Sequence, residues 1–107
     1  MDNNELKIKS IAVQQKIDAG RAKGENVEPY LKEKMELLKI GYKMLSEQLK
    51  GDKFEKNPKK YSTLLSYVNT MKNIANEIKL PKDDINAMEE EIKAQMAKNN
   101  LAWLLNK

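Results

Sequence analysis

The chain has 107 residues, 40% hydrophobic and 34% charged, with no cysteine, no histidine and a formal net charge of +4. That length suits one small domain. The composition excludes a disulfide framework, thiolate chemistry and the imidazole that most often serves as general base or nitrogen metal ligand. A mean hydropathy of −0.76 fits helices that bury one stripe and leave the rest in water.

The first five residues, Met1 to Glu5, lack the basic and apolar regions of a signal peptide. No apolar run approaches the roughly 20 residues that a membrane span requires, so a cytoplasmic setting and no membrane partner are expected. Residues 5–19 read as a first helix, with Leu6, Val13 and Ile17 on one face and Ile8 and Ile11 beside it. Gly20 and Gly24 are expected to break it, leaving residues 18–28 as a flexible joint.

Glu28-Pro29 marks the start of a second helix, an acid in capping position before a proline suited to the first turn. Leu31, Met35, Leu38, Tyr42, Leu45 and Leu49 then recur at alternating spacings of four and three, the order of a heptad seam. Leu37 and Met44 widen the stripe, so this helix is expected to meet more than one neighbour. Gly51 supplies a stop.

Asn57-Pro58 opens a third helix, with Asn as N-cap and Pro in the first turn. Its seam is Tyr61, Leu64, Val68, Met71, Ala75 and Ile78, again spaced three and four. Two matched seams on a short connection predict an antiparallel helical hairpin. Leu80-Pro81 ends the helix, because a residue before proline is pushed out of the α region. Asp83 and Asp84 suit a new helix N-terminus. Ile85, Met88, Ile92 and Met96 continue as a shorter stripe toward Trp103, Leu104 and Leu105, an apolar tail that fits a groove on this protein or a partner.

The expected fold is therefore all-α: a long antiparallel helical hairpin with an additional N-terminal helix and a shorter C-terminal helix. Its expected divisions are residues 1–27, the N-terminal helix and joint; 28–80, the hairpin as assembly core; and 81–107, the C-terminal helix and tail.

Charge is uneven along the chain. Residues 1–28 and 61–107 are each balanced, and the excess lies in residues 29–60, with nine lysines against five acids. Lys50, Lys53, Lys56, Lys59 and Lys60 gather at the connection between the two long helices. A local basic patch attracts phosphate; a solvated lysine-rich loop is the plainer reading. A second basic set is Lys7, Lys9, Lys16, Arg21 and Lys23.

Catalysis finds little support. Ser10, Ser46, Ser62 and Ser66 lie in plain helical contexts without a histidine to activate them. Asp83/Asp84 and the run Glu89–Glu91 are neighbours that point different ways on a helix, and are expected to be exposed with ordinary acidities. No phosphate loop, dinucleotide fingerprint, calcium loop or zinc site is present, so no cofactor, metal or small-molecule substrate is expected. Methionines at seam positions and tyrosines at helical spacing read as packing residues before they read as an adaptable groove or a base-stacking surface.

Across residues 30–88 the order of motifs resembles the small terminase subunits of tailed bacteriophages. The resemblance rests on Tyr30 to Met35 through Gly41-Tyr42, on Lys56-Asn57-Pro58, and on the helix Tyr61–Ile78 closed by Glu77-Ile78-Lys79-Leu80-Pro81. In that family an Asn-Pro opens a long helix that closes on a Leu-Gly-Leu-Thr-Pro-like turn. Here lysine and proline replace the glycine and threonine. The resemblance implies a non-enzymatic homo-oligomer that binds phage double-stranded DNA and hands it to the large terminase ATPase. The hairpin would then be the assembly element. Two other readings stand beside it: a small helical inhibitor or immunity-type protein with one protein partner, and a coiled-coil scaffold.

Overall fold

The structure, a computed structural model, describes residues 2–51 and 58–98, with side chains from 2 to 48 and from 59 to 98. Among these residues the fold is all-α. Four helices follow in order, α1 (Asn3–Ala22), α2 (Glu28–Gly51), α3 (Pro58–Ile78) and α4 (Asp83–Lys98), with no strand.

Local chemistry starts and stops them. The Asp2 carboxylate accepts the Glu5 backbone N–H at 2.8 Å and caps α1, satisfying a donor that the helix leaves orphaned. At the start of α2 the Asn26 side chain accepts the Glu28 N–H at 3.0 Å. Asn26 thus does the capping expected of Glu28, which is itself the first helical residue. α3 ends in a turn where the Leu80 N–H reaches back to the Ala75 carbonyl at 2.9 Å. That closure needs a left-handed residue between them, and Lys79 takes it with φ +58°.

The expectation that Gly20 breaks the first helix is corrected. Helix α1 continues to Ala22, and Gly20 is buried inside it. A Cβ at Gly20 would stand 2.6 Å from Val27 Cγ1, so glycine here permits the returning chain to lie against the helix. Gly24, with φ +69°, makes the reversal, and the Glu25 N–H closes it on the Gly20 carbonyl at 2.8 Å. Gly20→Ala is expected to destabilise the fold by about 1 kcal/mol. Helix propensity favours alanine by about 1 kcal/mol, but overpacking costs about 1–3 kcal/mol, and a branched valine held in the core cannot swing aside. Urea unfolding measures the difference. A variant as stable as the parent would contradict the Gly20–Val27 packing.

Neighbouring helices alternate in direction. Leu31 of α2 shares a groove with Glu77 and Ile78 of α3, whereas Gln48 shares one with Lys59, Lys60 and Thr63. Helices α2 and α3 therefore run antiparallel, and they form the most extensive packing in the molecule. α1 lies mainly on α2, and α4 mainly on α3. The width of the α2 stripe has a cause in this arrangement. One side of α2 meets α1, through Lys34 to Gln14 and Gly41 against Leu6. Another meets α4, through Lys39 to Asp84 and Tyr42 to Met88. Leu37 is buried and Met44 half-buried.

The seams lie in the core. Leu31, Met35, Tyr42, Tyr61, Leu64, Val68, Met71 and Ala75 are buried in one cluster with Val13, Ile17, Ile85, Ile92 and Met96 from the outer helices. Leu38, Leu45 and Ile78 are partly buried against it. The Leu49 side chain lies outside the described residues. Ile8 and Ile11 differ from the rest: they are exposed, on the side of α1 away from the core.

Candidate nucleic-acid interface

The residues that flank the basic connection, Gln48 of α2 and Lys59 and Lys60 of α3, lie side by side. Lys53 and Lys56, and the Lys50 side chain, lie outside the described residues, as do Trp103, Leu104 and Leu105. Lys59 and Lys60 are described and stand in the first turn of α3, Lys59 exposed and Lys60 partly so. A helix N-terminus carries about half a positive charge. Nature commonly offsets it with acids, as in the first turns of α1 (Glu5), α2 (Glu28) and α4 (Asp83 and Asp84). The first turn of α3 holds no acid and two lysines. Positive side chains there cost helix stability, by about 0.3–1 kcal/mol each in exposed positions. Residues set against local stability are where function is worth seeking.

Beside these lysines runs a groove of about 430 Å³ between α1, α2 and α3. Leu6, Met44, Leu45 and Tyr67 form its apolar part, and Asn3, Gln48 and Thr63 its polar rim. Asn3, Gln48 and Thr63 gave no signal in the sequence, since each is an ordinary polar residue that only the fold brings beside Lys59 and Lys60.

On the α4 side lysines are spent on internal pairs. Lys39 meets Asp84 at 2.9 Å, and Lys72 and Lys93 meet Glu89 at 2.6 and 3.6 Å. The Lys39 ammonium beside Asp84, opposed in part by desolvation, holds that carboxyl below the usual range. Lys72, and then Lys93, hold Glu89 down in the same way. The expectation of an exposed acidic run with ordinary acidities is corrected here. Glu89 is half-buried between two lysines, and Glu91 turns toward Tyr42. Arg21 of the second basic set pairs with Glu77 at 2.9 Å, and Lys9 with Glu5 at 3.9 Å.

A polar cluster interrupts the apolar interior where α2, α3 and α4 meet. Tyr42, Ser46, Tyr61, Glu91 and Gln95 surround a cavity of about 20 Å³, closed by Leu64 and Ile92. The Tyr42 hydroxyl donates to the Met88 carbonyl at 3.2 Å, with Glu91 Oε2 at 3.4 Å. Burial, reinforced by the Glu91 charge, pushes the Tyr42 phenol up to about 12. Unfolded, the phenol ionises near pH 10. Because the folded value is the higher one, this stabilisation is complete below about pH 10 and is lost between about pH 10 and 12. At about 1.4 kcal/mol per unit it amounts to about 2–3 kcal/mol. Tyr42→Phe is therefore expected to unfold with a shallower alkaline decline than the parent, measured by urea titration at rising pH. Parallel declines would contradict it.

Among the described residues, no group of three histidines, cysteines or carboxylates is arranged to hold a metal ion, and no helix is long and apolar enough to cross a membrane. The site these elements define is a basic helix end beside a groove. Comparison with protein-family models, curated proteins and solved structures gives no match for this chain.

Proposed function

We propose that the protein is a non-enzymatic DNA-binding subunit of the genome-packaging kind. It acts as a homo-oligomer, recognises phage double-stranded DNA and recruits the large terminase ATPase in the cytoplasm of an infected bacterium. The observation that carries this reading is the first turn of α3, where Lys59 and Lys60 take the place of the acids that open the other helices. The backbone N–H groups of a helix N-terminus, with lysines in its first turn, suit a phosphate. The neighbouring Lys50, Lys53 and Lys56 in sequence extend the same charge. Repetition of a weak site across an oligomer supplies the affinity that a net +4 alone does not.

The closing turn of α3 adds support to the resemblance. The family carries glycine where Lys79 stands, and Lys79 adopts the left-handed conformation that glycine favours. The lysine replaces the residue and keeps the turn.

The test is retention of duplex DNA by the full chain at low salt, with the mass of the free and bound protein determined by light scattering. An oligomer that retains DNA and releases it as salt rises is the expected result. A monomer that retains none would refute the reading.

A further inference from the structure

A tyrosine ring at helical spacing packs in a core or stacks on a nucleobase, and the fold separates the two uses. Tyr42 and Tyr61 are 5% and 2% exposed and belong to the core. The Tyr30 ring lies 5.8 Å from the Lys16 ammonium. Tyr67 is only half-buried, and it lines the groove of about 430 Å³ beside Lys59 and Lys60. Its ring lies against α2 at a residue without a side chain. A Cβ on Gly41 would stand 3.5 Å from Tyr67 Cζ and 3.4 Å from Leu6 Cδ2. Glycine there leaves the floor of the groove deeper by about one methyl group.

Charge sets this groove apart from two others of like size. One of about 490 Å³ mixes Lys32 and Lys39 with Glu36, Asp83 and Asp84. Another, of about 300 Å³, sets Lys79 between Glu28 and Glu77 in its lining. In the groove of Tyr67 the charged residues are Lys59 and Lys60, and among the described residues no acid lines it. An anion therefore meets carboxylates in the first two grooves and only cations in the third. The other polar groups of that third lining are the side chains of Asn3, Gln48 and Thr63. Amides and hydroxyls both donate and accept hydrogen bonds, as pairing with the edge of a base requires.

We propose that this groove holds one unpaired nucleobase of a DNA strand, stacked on Tyr67, while Lys59 and Lys60 hold the phosphates on either side of it. Shape and charge both select that occupant. A base has apolar faces and polar edges, and its charge lies apart on the phosphates, which matches an apolar slot with lysines at its rim. An acidic peptide would satisfy the lysines and leave the slot beside Tyr67 unfilled. A duplex keeps its bases stacked inside and meets the lysines alone. A nucleotide within a strand carries a phosphate on each side of its sugar, which two lysines match more fully than a free monophosphate does.

The inference rests on the DNA reading and narrows it: phosphates hold duplex, and a frayed end or unpaired stretch adds a base. Fluorescence anisotropy of the full chain at low salt tests it with three ligands. These are an oligodeoxythymidine of about 16 nucleotides, an abasic deoxyribose-phosphate strand of the same length, and a random-sequence duplex. The thymine strand is expected to bind at least about fivefold more tightly than the abasic strand, the low end of what one stacked base contributes. Tyr67→Leu keeps an apolar side chain against Gly41 and removes the ring, so it is expected to close that gap. Tyr67→Phe keeps the ring and is expected to preserve the gap. Thermal melting confirms that both variants are folded. Equal affinity of the parent for the thymine and abasic strands, or a gap that survives Tyr67→Leu, would overturn the proposal. So would displacement of the strand by thymidine monophosphate at equal nucleotide concentration, which would give the groove to free nucleotides. If the duplex is still bound and released by salt in those cases, the packaging reading stands. If neither strand nor duplex binds at low salt, the two fall together.

Discussion

Met71→Ala is expected to lower the unfolding free energy by about 2–5 kcal/mol, the range for truncating a fully buried methionine. Met71 has no exposed surface, and it lies in one core cluster with residues of all four helices. Removing its side chain strips dispersion contacts from each neighbour and leaves a void that packed helices fill only in part. A domain of this size has about 5–15 kcal/mol of total stability, so the variant loses a large share of it. Each kcal/mol moves the melting temperature by roughly 4–8 °C in a domain of this size, and a fall of about 10 °C or more is expected in a thermal scan. Ile8→Ala, also in an apolar stripe, is the control. At 67% exposed it should change monomer stability by no more than about 0.5 kcal/mol, measured at low protein concentration. Equal losses in the two variants would mean that the α3 seam is no more a core than the outer face of α1.

Replacing Lys53, Lys56, Lys59 and Lys60 together by Gln is expected to weaken DNA binding strongly while leaving the helices intact. Each phosphate contact contributes about 0.9 to the slope of log affinity against log salt. Losing four contacts flattens that slope by up to about 3.6, which over a fourfold change in salt is about a hundredfold. Stability should move the other way or not at all. Lysine at the start of a helix opposes the helix dipole, so its removal at Lys59 is worth a few tenths of a kcal/mol up to about 1 in favour of the fold. A loss of binding with an unchanged or higher melting temperature separates a phosphate contact from simple unfolding. Unchanged binding would move the site to the second basic set, Lys7, Lys9, Lys16, Arg21 and Lys23.

The long seams were legible because periodic burial is written locally. Leu31, Met35 and Tyr42 on α2, and Tyr61, Leu64, Val68 and Met71 on α3, carry the spacing that a buried helix face requires, and the fold is all-α as that spacing predicts. The end of α3 was legible for the same kind of reason, since proline acts on its immediate neighbour. Gly20 was misread because glycine signals two opposite things. Its low helix propensity argues for a break, but its missing side chain also admits Val27, and only tertiary contact decides between them. Helix α1 was blurred because it carries apolar residues on two sides, Val13 and Ile17 inward and Ile8 and Ile11 outward. The acids of α4 were misjudged because their partners are distant in sequence: Lys39 for Asp84, Lys72 for Glu89 and Tyr42 for Glu91.

The candidate interface was legible as charge and not as shape. Counting lysines singles out the α2–α3 connection. The fold adds that Lys59 and Lys60 head a helix without an acid in its first turn and border a groove whose far wall is Leu6 and Asn3 of α1.

The equilibrium affinity of the full chain for random-sequence duplex DNA, measured from about 50 to 200 mM salt, tests the central claim most directly. The account predicts a straight fall of log affinity with log salt, with a slope of about −3 or steeper, flattened when the four lysines become Gln. An absence of binding at the lowest salt, or a slope near zero, would contradict it.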